Sequence, residues 1–114
     1  MNSLEEEFVD AVNFISKQTH ENSKSKGWWA TDRNDGEMIA LIHSELSEAL
    51  EALRAGGIMS DHIPEFKGVE EELADAVIRI FDMSAARGYR LGEAIVAKME
   101  FNQTRPHRHG GKAF

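Results

Sequence analysis

The sequence predicts an all-α domain of four helices in a bundle-like arrangement. Apolar residues recur at helical spacing in four segments, and no segment alternates in the manner of a strand. Gly56-Gly57, Gly88 and Pro106 punctuate the segments.

Ser3 followed by Glu6 reads as a capping box, and Leu4, Phe8, Val12 and Ile15 then mark a first helix to about residue 20. Residues 21–35, ENSKSKGWWATDRND, form a polar loop around a tryptophan pair. Asp35 is placed to cap a second helix that runs to about Ala55, where Gly56-Gly57 ends it. Residues 58–68, with Pro64, read as a connector. A third helix is expected from Val69 to Arg87, stopping at Gly88. A fourth covers Leu91 to Gln103, and Pro106 bars its continuation. The tail, residues 104–114, is too rich in Gly, His and Arg to form core.

A chain of 114 residues fits one domain, 1–114, yet is short enough that burying every apolar face inside a monomer is difficult. A homo-oligomer is therefore expected. The net charge of −7 argues against binding a nucleic acid polymer, which needs a surplus of Lys and Arg. The sign is uneven, because residues 98–114 carry four Lys/Arg against one acid. With no cysteine, thiolate catalysis and zinc–thiolate sites are excluded. The start MNSLEEEF has no basic and apolar leader, and no apolar run approaches a membrane span, so a cytoplasmic location is expected.

The second helix carries glutamates in unequal positions. On a helical wheel Met38, Ile39, Ile42, Leu46, Ala49, Leu50 and Leu53 form one arc, with Glu45 and Glu48 at its edge and Glu51 turned further toward solvent. The third helix repeats the pattern: Val69, Leu73, Ala76, Val77, Ile80 and Phe81 are apolar, and Glu72, Asp75, Arg79 and Asp82 line one flank. If the two helices pack as an antiparallel hairpin, Glu45/Glu48 face Glu72/Asp75 across the groove. Carboxylates so close repel one another unless compensated, and hard divalent cations with oxygen ligands are the natural compensation. The competing reading is a solvated face, since Glu is common on exposed helical positions. Arg79 is expected to bridge Asp75 or Asp82 at helical spacing, and Asp82 either extends the metal shell or pairs with Arg79.

Glu45-x-x-Glu48, a 23-residue gap and Glu72-x-x-Asp75, within ALIHSELSEALEALR and EEELADAVIRIFD, closely resemble the MazG-like nucleoside triphosphate pyrophosphohydrolases of the all-α NTP pyrophosphatase superfamily. The resemblance extends to KMEFNQTRPHRHGGK after the fourth helix and to the tryptophan loop. It implies hydrolysis of a nucleoside triphosphate, a dNTP or non-standard NTP, to the monophosphate and pyrophosphate, in nucleotide-pool house-cleaning. It also implies Mg²⁺, with Mn²⁺ as the substitute, held by Glu45, Glu48, Glu72 and Asp75, and dimers or tetramers whose sites draw on more than one subunit. Glu45 or Glu48 is then the candidate general base for the attacking water.

The same resemblance places Lys98 near phosphate and Asn102 near sugar or base, with Arg105 following. The alternative for each is an exposed helical face. Arg108, His109 and Lys112 either close over phosphate or belong to a free basic terminus. Trp29 is the preferred base contact, with core or interface packing as its alternative. His20 either faces the nucleotide or is a helix-end residue. A non-catalytic helical module that binds nucleotide or partner helices is the competing functional class.

Overall fold

The computed structural model describes residues 1–107 and 113. Four helices form among them: α1 (Ser3–Ser25), α2 (Asp35–Arg54), α3 (Gly68–Arg87) and α4 (Leu91–Gln103). No strand is formed among the described residues, only an isolated bridge between Met59 and Lys67 at the two ends of the α2–α3 connector. The all-α class and the four helices are as expected; the Arg108, His109 and Lys112 expectations lie outside the described residues.

Three helix starts lie one residue earlier than expected, α3 beginning at Gly68 and not Val69. Asn2 caps α1, its Oδ1 accepting from the Glu5 amide at 2.8 Å while the Glu5 carboxylate accepts from the Asn2 amide at 2.9 Å. Asparagine caps at least as well as serine, so the box forms on Asn2/Glu5 instead of Ser3/Glu6. Asn34, not Asp35, caps α2 through the Glu37 amide. Helix α1 also continues to Ser25, five residues beyond the expected end near residue 20, because no helix breaker occurs before Gly27. Gly88 ends α3 at φ 70°, a left-handed conformation that favours glycine.

The main packings run α2 on α3, α3 on α1, and α1 on α4. The α1–α4 contact is close because Gly92 has no side chain: a Cβ there would lie 3.1 Å from the Val9 Cα and 3.2 Å from its carbonyl oxygen. Met38, Ile42 and Met83 make the α2–α3 core, with Trp29 and Ile80 packed against them.

The apolar arcs are only partly used. In α1 the structure buries Val9, Val12 and Ser16, while Leu4, Phe8 and Ile15 stay exposed, so the helix is rotated from the expected face. In α2 the buried stripe is Met38, Ile42, Glu45 and Ala49; Ile39, Leu46, Leu50 and Leu53 remain about half exposed. Leu73 and Val77 of α3 are exposed to a similar degree. No described side chain is completely buried. The radius of gyration is 16.5 Å, against about 13 Å for a compact chain of this length.

Candidate functional site

Helical geometry alone brings the first acids together. Glu45 sits one turn after Ile42 and one before Ala49 on the buried stripe of α2, and is only 8% exposed. Glu72 and Asp75 lie one turn apart on the facing side of α3. One oxygen from each of Glu45, Glu72 and Asp75 lies within 4.8 Å of the others. Glu48 is exposed and outside this trio, but its carboxyl adjoins Glu72.

The electrostatics follow from that crowding. Burial, then the neighbouring carboxyls of Glu48 and Glu45, push the Glu72 carboxyl up to about 7. Burial, then the charge of Glu45, raises Asp75 as well, with Arg79 acting the other way. The Glu72 Oε2 atom is buried and has no hydrogen-bond partner. Ionised carboxylates offer it no donor, so a proton, a cation or a water is needed to satisfy it. An all-oxygen donor set with an orphaned buried oxygen could hold a hard metal cation.

One cation already touches the trio. Arg79 Nε donates to Glu45 Oε1 at 3.0 Å across the α2–α3 groove. This corrects the expectation that Arg79 pairs within α3 with Asp75 or Asp82; in the folded protein the closer acceptor belongs to the neighbouring helix. Beside the acids opens a cleft of about 280 Å³, walled by Glu45, Asp75 and Asp82 and by the cations Lys26, Arg33 and Arg79. The C-terminal turn of α1 contributes Thr19, Asn22 and Ser23, and Trp28 lines the rim.

Asp82 neither joins the metal trio nor pairs with Arg79. It is 8% exposed, and its Oδ1 lies 2.8 Å from His20 Nδ1 and accepts from Trp29 Nε1 at 3.1 Å. Arg33 lies 3.9 Å from its other oxygen. His20 meets Trp29 edge to face at 5.0 Å, and the guanidinium carbons of Arg33 and Arg87 stand 5.1 and 5.8 Å from the Trp29 ring. Asp82 thus ties the α1–α2 loop to α3 and fixes the side of the cleft that carries Arg33.

The two tryptophans divide their work. Trp29 packs on the Met38, Ile42 and Met83 core and hydrogen-bonds Asp82 beneath the cleft, whereas Trp28, 60% exposed, lines the cleft itself. His20 is turned to Asp82 and is not among the lining residues. Lys98, Asn102 and Arg105 do not line the cleft either; Lys98 and Arg105 instead stand over Phe101, the ammonium at 4.6 Å and the guanidinium at 5.8 Å. Sequence reasoning passed over Lys26 and Arg33, although their position around the tryptophan pair was a usable signal.

A second polar cluster holds the α2–α3 connector. Ser60 Oγ donates to Glu71 Oε1 and accepts from the His62 and Ile63 amides, while His62 Nδ1 lies 2.7 Å from Glu71 Oε2. Among the described residues no helix is long and apolar enough to cross a membrane. A scan of protein-family profiles and searches of curated proteins and of solved structures find no match to this chain, so its own geometry carries the functional argument.

Proposed function

We propose that the protein is a Mg²⁺-dependent nucleoside triphosphate pyrophosphohydrolase, releasing the monophosphate and pyrophosphate from a dNTP or non-standard NTP. The observation that supports it most is the trio of Glu45, Glu72 and Asp75 at the edge of a cleft that also holds Lys26, Arg33 and Arg79. Acids to hold a cation and bases to hold an anion are the two halves of a metal–phosphate site. The motif resemblance to MazG-like enzymes supplies the choice of reaction.

In this reading Glu45, Glu72 and Asp75 hold the metal, with Glu48 completing the set from its exposed position one turn along α2. The bound cation supplies charge neutralisation for the phosphates and a more acidic water. Glu48 is free of the Arg79 contact that engages Glu45, which favours it as the carboxylate that takes the proton of the attacking water. Lys26 and Arg33, which line the same cleft, receive phosphate oxygens. Trp28, being exposed beside them, is better placed than Trp29 to stack on a base.

The working form is a homo-oligomer, a dimer or tetramer. Ile39, Leu46, Leu50 and Leu53 recur on one side of α2 and remain about half exposed, as do Leu73 and Val77 of α3. Full burial of a leucine side chain is worth about 1.5–3 kcal/mol, so the monomer forgoes a sizeable part of its stabilisation. Lys98, Asn102 and Arg105 lie outside the cleft of their own chain, and they serve a nucleotide only from a neighbouring subunit.

The Arg79–Glu45 ion pair favours one other reading, a non-catalytic helical module in which the acids are partly neutralised by arginine. A panel of NTPs and dNTPs incubated with Mg²⁺ separates the two. Pyrophosphate release that disappears in Glu48→Gln and Asp75→Asn supports the hydrolase. Nucleotide binding indifferent to Mg²⁺, without turnover, supports the module.

A further inference from the structure

Arg79 stands where two cavities meet. It lines the main cleft with Glu45 and Asp75, and also a smaller cavity of about 20 Å³ bounded by Arg33, Met38, Asp82 and Met83. Its side chain keeps 32% exposure while its Nε holds Glu45, whose own side chain is 11% exposed. The guanidinium therefore has room to leave the carboxylate without disturbing the core. Among the described residues it is the cation paired with the acidic trio.

The charge balance of the trio changes when a divalent cation arrives. The ion takes over the attraction to Glu45 and repels the guanidinium a few ångströms away. A triphosphate brought in with the metal then offers that planar guanidinium a pair of phosphate oxygens in the adjoining cleft. We propose that Arg79 is an exchangeable counter-ion: it neutralises Glu45 in the metal-free protein and transfers to the substrate's phosphates when the metal binds. This inference rests on the reading of Glu45, Glu72 and Asp75 as a cation site.

The exchange has a signature that a structural salt bridge lacks, because removing the arginine affects the two ligands in opposite directions. Mn²⁺ is titrated into the full chain without nucleotide and followed by electron paramagnetic resonance. Arg79→Gln binds Mn²⁺ about three- to tenfold tighter than the unaltered protein, the gain from releasing the buried Glu45 carboxylate from its partner. Arg33→Gln, which alters a cleft cation beside Asp82, stays within about twofold. With Mg²⁺ saturating, inorganic pyrophosphate binds Arg79→Gln about tenfold more weakly.

In the unaltered protein the Arg79 Nε–H nuclear magnetic resonance signal moves to the position of a solvent-exposed arginine on adding Mg²⁺. This readout decides the matter even if Arg79→Gln does not fold. Equal or weaker Mn²⁺ binding by Arg79→Gln, or an Nε–H signal unchanged by saturating Mg²⁺, overturns the exchange. Unchanged pyrophosphate affinity overturns the transfer to phosphate. Failure of the unaltered protein to bind Mn²⁺ removes the cation site itself, and is thereby distinguished from failure of the exchange alone.

Discussion

Loading the acidic trio with a divalent cation should expel protons, because the Glu72 carboxyl is raised to about 7 by burial and by the acids around it. A group with that value is about nine-tenths protonated at pH 6, half at pH 7 and one-tenth at pH 8. Mg²⁺ must displace whatever proton is present. Proton release per metal should thus fall from about 0.9 at pH 6 to about 0.1 at pH 8, while apparent affinity rises about tenfold. Calorimetric titration at each pH, in two buffers of different ionisation heat, counts the protons directly. Glu72→Gln should bring the count close to zero. Metal affinity that is flat from pH 6 to 8 with no buffer-dependent heat would refute the reasoning.

The same raised carboxyl has a consequence for the metal-free fold. Between the ordinary glutamate value of 4.5 and about 7 the folded chain binds more protons than the unfolded one, so stability falls as pH rises through that window. After solvent screening the loss is about 1 kcal/mol, measurable by urea unfolding, and Glu72→Gln should flatten the profile. Asp82→Ala leaves the Trp29 and His20 ring nitrogens without their acceptor and should cost about 2–3 kcal/mol, with a shift in tryptophan fluorescence. Gly92→Ala forces a Cβ to within 3.1 Å of the Val9 Cα and should cost about 1–3 kcal/mol by thermal melting. In the connector, Glu71 is lowered and His62 raised by their mutual hydrogen bond. Glu71's contribution is complete above 4.5 and lost as pH falls through its lowered value; His62's is complete below 6.5 and lost as pH rises through its raised value. Hydrogen exchange at the His62 and Ile63 amides should therefore be slowest, relative to the intrinsic rate, between 4.5 and 6.5. Leu50→Glu places a charge between the exposed Leu46 and Leu53 on α2 and should shift light-scattering mass toward the monomer.

What was legible in the sequence was local or periodic. Gly88 stops α3 because only the residue after a helix need adopt a left-handed conformation, and that demand is written in one position. The meeting of Glu45 with Glu72 and Asp75 followed from spacing plus the hairpin, since both helices present acids one or two turns from a shared apolar stripe. The rotation of α1 was not legible, because Leu4, Phe8 and Ile15 satisfy helical spacing as well as Val9 and Val12 do. Gly92 settles the matter by admitting Val9 closely, and that choice lies between helices. The Trp28–Trp29 division was equally hidden: a loop has no period, and what turns Trp29 inward is Asp82, 53 residues away. Arg79 had acids at helical spacing on its own helix and one across the groove, and only the packing of α2 on α3 selects Glu45.

In the proposed reaction the acidic trio and the cations of the cleft serve cleavage of a nucleoside triphosphate at the α–β bond. The most direct measurement follows the phosphorus resonances of a panel of NTPs and dNTPs incubated with the protein and Mg²⁺. The account predicts that at least one substrate yields monophosphate and pyrophosphate in equal amounts, with no diphosphate, and that Asp75→Asn yields neither. Diphosphate with orthophosphate, or an unchanged spectrum for the whole panel, would contradict it.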